Sequence, residues 1–154
     1  MHGNRDFLLG RDYAERAGMT LLDDPAVVEL SGERVLLLHG DTLCTDDAAY
    51  LQFRKLVRDP AWQRAFLAKP LAERRAFAAQ ARGESRKHTA NAQPEIMDVN
   101  QNAVEAAMRA HGARRMIHGH THRPATHHFE VDGNKAERIV LGDWYEQASF
   151  VCID

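Results

Sequence analysis

The chain has 154 residues with 20 Lys+Arg, 22 Asp+Glu, nine His and two Cys, a formal net charge of −2. That composition suits one globular domain with a real core and excludes a basic nucleic-acid footprint. The longest aliphatic run, Val35-Leu36-Leu37-Leu38, falls far short of the roughly 20 residues that span a bilayer. No apolar run follows Met1, so no signal peptide is read. Cys44 and Cys152 suggest neither a disulfide framework nor a zinc ribbon, and a reduced cytosolic chain is expected.

Met1-His2-Gly3-Asn4-Arg5-Asp6 opens on a turn with no element before it, which hints that the chain starts inside a fold. Residues 10–17 read as a short helix stopped by Gly18. Val27–Leu30 and Arg34–Leu38 flank Ser31-Gly32-Glu33, a hairpin signal. The second of these strands is apolar on both faces and is expected inside its sheet. It ends at His39-Gly40-Asp41.

From Asp46 to about Gly112 the period becomes helical: Tyr50, Phe53 and Val57 recur at that spacing, as do Ile96, Val99, Val104, Ala107 and Met108. Asp59-Pro60 reads as an N-cap with proline at N1. Pro70 opens or interrupts a further helix. Residues 83–93 are polar and read as a loop, followed by a helix near 95–111 ended by Gly112. Strands are expected again at Arg115–His118, His127–Val131, Glu137–Leu141 and Ala148–Ile153, with Asp132-Gly133-Asn134 as a hairpin turn.

Three short segments concentrate metal-ligand types: Gly3-Asn4-Arg5-Asp6, His39-Gly40-Asp41 and Gly119-His120-Thr121-His122. Two follow predicted strands, where loops gather side chains from separate parts of a sheet. Neutral imidazole binds divalent transition metals, and amide or carboxylate oxygens suit Mn²⁺ or Mg²⁺. Five of the nine histidines fall between 118 and 128. In an extended segment His120 and His122 project to one side and converge on neighbouring metals. His118 shares their parity but lies further back. His88, His111, His127 and His128 are read as ordinary structural or surface residues.

These three segments, in this order, resemble the last three motifs of the calcineurin-like metallophosphoesterases. The runs at 1–9, 39–47, 96–100 and 117–124 are similar, more narrowly, to the pyrophosphohydrolases of lipid A synthesis in Gram-negative bacteria. Arg5, where most of the superfamily has His, is part of that narrower likeness. The resemblance runs from residue 1 to about 145. It implies an α/β (α+β) fold, an incomplete αββα sandwich forming one domain over 1–154, with an inserted helical cap at about 46–93. It implies a two-Mn²⁺ site, with Asn4, His39 and His120 as ligands of one metal and His122 of the other. Arg5 and His120 correspond to catalytic positions, and Arg5 would grip phosphate through its guanidinium fork. Asn4, Arg5, Asp47, Ser85, Thr89 and His120 correspond to substrate contacts. Ala92 stands where the family has a cap lysine, a contact that Lys87 could supply instead.

The implied reaction is hydrolysis of UDP-2,3-diacylglucosamine at the α-phosphorus, giving UMP and 2,3-diacylglucosamine 1-phosphate. The implied setting is peripheral, on the cytoplasmic face of the inner membrane. Tyr50, Phe53, Trp62, Phe66 and Phe77 could line an acyl chamber, or equally form a plain helix–helix core.

The family's first two motifs, Asp-x-His and Gly-Asp, precede Asn4, and only three residues do so here. The expectation is a chain matching the C-terminal two-thirds of the family, inactive or nearly so alone, with uncovered apolar surface and sheet edges. Two alternatives stay open: a metallophosphoesterase acting on nucleotides or phosphodiesters, and a non-catalytic remnant that binds lipid or one metal.

Overall fold

The computed structural model describes residues 1–91 and 96–152, with 89–91 by backbone alone. The chain divides into two compact units, one of residues 1–45 with 99–154 and one of residues 46–98.

The first unit is built on a five-stranded mixed sheet. After helix α1 (Arg11–Arg16) come strands β1 (Ala26–Leu30) and β2 (Glu33–Leu38). They pair antiparallel around Ser31 and Gly32. Both turn residues have positive φ, 50° and 79°. Two left-handed residues give a two-residue turn whose twist matches that of the strands. The second unit's helices are α2 (Ala48–Val57), α3 (Pro60–Leu67) and α4 (Leu71–Asn91). Helix α5 (Gln101–His111) and strands β3 (Arg115–His118), β4 (Ala125–Val131) and β5 (Asn134–Val140) complete the first unit.

The strand order is β1-β2-β3-β5-β4. The β2–β3 and β3–β5 pairs are parallel, and β4–β5 is antiparallel. This is the α/β sandwich architecture expected from the sequence. Strand β2 is an interior strand. Val35 and Leu36 point to opposite faces, and both are fully buried, as a strand covered on both sides requires. Arg115 clips three strands together, reaching Glu33 and Glu137 at 2.8 Å each.

The core joins Leu36, Leu38 and Met116 of the sheet to Val104 and Met108 of α5. Full burial of such side chains stabilises by about 1.5–3 kcal/mol each. The helix begins at residue 101, not near 95, because Asn100 caps it. Its Oδ1 accepts from the backbone N–H of Asn102 at 3.0 Å and Ala103 at 3.3 Å. The apolar Ile96 and Val99 precede that cap, and their spacing had suggested an earlier start. Asn100→Ala is expected to cost about 1 kcal/mol of stability, read as a lower urea midpoint with unchanged slope. Gly112 ends the helix at φ 59°.

In the second unit, Asp59 caps α3 by accepting from Trp62 N–H at 2.8 Å, and Pro60 takes the first helical position. Trp62 stacks on Phe66, with centroids 4.8 Å apart, and Phe77 meets Phe66 edge-on at 5.1 Å. These rings hold α3 to α4 as a core. Phe53, Leu56, Leu67 and Leu71 remain exposed.

Two expectations need correction. Residues 83–91 are the end of helix α4, not a loop. Their composition is polar on every side, so no apolar stripe marks the helix. Its Glu, Arg, Lys and Ala nonetheless favour helix, and Gln80 donates to Glu84 one turn on at 2.9 Å. Residues 148–152 form no strand. Ser149 is committed to its own loop: its Oγ accepts from Gly142 N–H at 2.9 Å and its carbonyl from Trp144 Nε1 at 2.8 Å. Ala92 lies outside the described residues.

Candidate active site

Two parallel strands end side by side at the site. Leu38 of β2 is level with His118 of β3. The loops that follow stay together, because Gly119 N–H donates to the His39 carbonyl at 3.0 Å. His39-Gly40-Asp41 and Gly119-His120-Thr121-His122 are thereby brought to one end of the sheet.

Gly40 makes that approach possible. Its φ is +110°, and an added Cβ would lie 2.8 Å from His118 Nδ1 and 3.1 Å from the Gly119 carbonyl oxygen. His39 then faces two neighbours. Its Nδ1 is 3.2 Å from Asp41 Oδ1, and its ring meets that of His120 edge-on with centroids 4.9 Å apart. Asp41 is completely buried. Asp24 supports the loop from outside, its Oδ1 accepting from the His39 N–H at 3.1 Å.

The N-terminal turn packs on the same histidine. A Cβ on Gly3 would come within 3.2 Å of both His39 Nε2 and Asp6 Oδ1. The turn is closed by His2 Nε2 against the Leu9 carbonyl at 2.8 Å and by Leu9 N–H donating to Asp6 O at 2.9 Å. Asn4 is half-buried there and Arg5 is exposed.

Residues 119–122 are not extended, which corrects the parity argument. Thr121 N–H donates to the Gly119 carbonyl at 2.8 Å, and His120 between them has φ +66°. A bond from residue i+2 to residue i with positive φ at the centre is a γ-turn, rare and strained for a non-glycine residue. His122 is left-handed too, at φ +53°. The two imidazoles therefore have different surroundings. His120 meets His39. His122 lies 3.6 Å from Asp143 Oδ2 and 6.3 Å, centroid to centroid, from the Tyr145 ring. An open cleft of about 650 Å³ beside His122 is lined by Pro124, Asp143, Tyr145 and Phe150, among others.

His120 is held neutral. Burial and the nearby His39 push its pKa down to about 4, against a smaller upward pull from Asp41; His122 and His118 push it down slightly further. A neutral imidazole keeps a lone pair for a cation or a proton.

The donor set for a metal is partial. His39 and His120 present two imidazoles together. Among the described residues no group of three or more His, Cys, Asp or Glu side chains is arranged to hold an ion. Mn²⁺ sites of the implied kind need more donors than that, so the described residues do not by themselves fit a closed centre.

Asp47 and Ser85 belong to the second unit. Asp47 caps α2: Oδ1 accepts from Tyr50 N–H at 2.9 Å, while Oδ2 is 2.9 Å from His88 Nε2. It is buried, with both oxygens engaged. His88, read from sequence as structural, is thus its partner. Ser85 and Lys87 lie exposed on α4. Thr89 is also on α4, but its side chain is outside the described residues. Sequence reasoning missed Asp24, Arg138 and Asp143, and gave His118 no part in the site. His118 adjoins the Gly119 motif but was set aside as lying further back; Arg138 is brought to it by strand β5, and Asp24 and Asp143 come in from loops next to the sheet.

The chain is thus an α/β protein with a mixed sheet, whose parallel strands β2 and β3 end in loops that bring His39 and His120 together. No protein-family model matches the chain. It is 54% identical over 144 residues to the UDP-2,3-diacylglucosamine hydrolase of Chromohalobacter salexigens, covering 94% of this chain and 58% of the relative. The corresponding figures for Aeromonas hydrophila are 56% over 149 residues, 97% and 62%. For Stenotrophomonas maltophilia strain K279a they are 53% over 161 residues, 100% and 65%. Over nearly its whole length the chain is similar to these proteins, each named UDP-2,3-diacylglucosamine hydrolase. It spans about three-fifths of the length of these curated relatives.

Proposed function

We propose that this chain carries a large part of an active site that hydrolyses UDP-2,3-diacylglucosamine, a step of lipid A synthesis. The observation that carries this reading is the shared sequence over nearly the whole chain, together with the convergence of His39 and His120. In the proposed reaction, water attacks the α-phosphorus. The bond from that phosphorus to the bridging oxygen breaks, releasing UMP and 2,3-diacylglucosamine 1-phosphate.

The exposed Arg5 is the phosphate-gripping group of this reading, since a guanidinium matches two phosphoryl oxygens at once. His120 stays neutral at pH 7. Asn4, His39, His120 and His122 are proposed as the chain's contribution to a divalent-cation site, with Mn²⁺ the ion that the resemblance implies and that mixed imidazole and amide-oxygen donors can hold. Because the described donors are incomplete, low turnover by this chain alone is part of the proposal. Asp47, Ser85 and Thr89 are proposed as substrate contacts. The exposed Phe53, Leu56, Leu67 and Leu71 give the second unit an apolar surface suited to acyl chains and to work at the cytoplasmic face of the inner membrane. No helix among the described residues is long and apolar enough to cross a membrane.

The test is UMP release from UDP-2,3-diacylglucosamine in mixed micelles with Mn²⁺, run beside a cyclic nucleotide and beside the Aeromonas hydrophila relative. Expected are UMP as the product, a rate at least tenfold below the relative, and loss of that rate in Arg5→Ala. Faster turnover of the cyclic nucleotide would assign the site to phosphodiesters. Lipid binding with no UMP release in any condition would support a non-catalytic binding role.

A further inference from the structure

His118 is the last residue of β3 and almost wholly buried, as is Arg138 on the neighbouring β5. Arg138 Nη1 lies 3.1 Å from His118 Nε2. A guanidinium N–H only donates, so Nε2 must be the acceptor and carry no proton. The ring's proton then sits on Nδ1, which is 2.9 Å from the Gly119 carbonyl oxygen. An N–H there donates to that carbonyl. The same carbonyl accepts the Thr121 N–H that closes the γ-turn over His120. On its other side the His118 ring is stopped by Gly40, whose missing Cβ leaves the space that Nδ1 occupies.

We infer that Arg138 is a positioning residue for His120. It sets which nitrogen of His118 holds the proton, and His118 thereby pins the Gly119 carbonyl under the strained His120 turn. Strain of this kind persists only where the surroundings over-determine it. Both lone-pair directions of one carbonyl are used here, one from a buried ring and one from the turn itself. A buried imidazole without Arg138 would exchange between its two neutral forms, and one of these puts a lone pair against the Gly119 oxygen. The catalytic meaning of this strut rests on the proposed role of His120; the strut itself does not.

The test separates the two. Side-chain ¹⁵N spectra report the His118 tautomer, and one-bond Cα–Hα coupling with backbone shifts reports the left-handed conformation of His120. The cross-peak between the His39 and His120 rings reports their proximity. Wild type should show a single Nδ1–H form. Arg138→Met should give a mixture of forms and lose the left-handed signature and the cross-peak, with the remaining amide spectrum unchanged. His118→Asn places a donor where Nδ1 stands and should keep both His120 signatures. His118→Gln mimics only Nε2 and should lose them. Persistence of both signatures in Arg138→Met and His118→Gln would overturn the inference. So would their loss in His118→Asn together with the whole spectrum, which would make the pair simple core packing. If these shifts occur while UMP release is absent even from wild type, the strut stands and the functional reading falls.

Discussion

Gly40→Ala is expected to lower the stability of the first unit by about 3–5 kcal/mol, the largest loss expected for a methyl group added at any of the glycines. Two effects combine. A non-glycine residue at φ +110° carries about 1–3 kcal/mol of backbone strain. The new Cβ would also sit 2.8 Å from His118 Nδ1 and 3.1 Å from a backbone oxygen of Gly119. The second contact has no flexible end to swing away, so the two loops must part. That movement breaks the bond between Gly119 N–H and the His39 carbonyl and separates the His39 and His120 rings. Gly133→Ala is the matched control. Its φ is +73°, but nothing lies within 4 Å of the added Cβ, so only the strain remains, about 1 kcal/mol. Urea denaturation of both variants should show a midpoint shift at least twice as large for Gly40→Ala. Equal shifts would mean that backbone strain, not loop contact, governs the site.

The same glycine shows where sequence reading succeeds and where it stops. The two hairpins were legible at Ser31-Gly32 and Asp132-Gly133, because a two-residue turn needs two left-handed residues and those residue types advertise it. Strand β2 was legible as interior because it is apolar on both faces. The end of helix α4 over 83–91 was not, since a segment polar on all sides has no periodicity to detect. The three motif segments were recognisable one by one. Their geometry was not, because it depends on the parallel pairing of β2, β3 and β5, which no local pattern specifies. Alternation suggested that His120 and His122 face one way. The γ-turn breaks alternation, and histidine gives no hint that it will adopt a positive φ. Arg138 stands across the sheet from His118, and nothing near either residue in sequence announces the pair.

The burial that shapes His120 also makes the fold sensitive to acid in a defined window. In an unfolded chain its imidazole titrates near 6.5, whereas in the folded chain burial and His39 lower the pKa to about 4. Between these values the unfolded chain binds the proton and the folded chain does not. The slope of unfolding free energy with pH is then positive. Above about pH 6.5 both states are neutral at this residue and it contributes no dependence. As pH falls towards 4 the folded state loses up to about 3 kcal/mol relative to the unfolded one, at 1.36 kcal/mol per unit. Carboxylates titrate in the same range, so the measurement is a difference. Stability is followed from pH 7.5 to 4.5 for the wild type and for His120→Asn, and the curves are subtracted. The carboxylate terms largely cancel, and the residual should be flat above pH 6.5 and fall below it. A flat residual throughout would show that His120 is solvated in the folded chain. The neutral form of His120 at pH 7 depends on the same desolvation, so acid lability and readiness to accept a cation or proton have one physical origin.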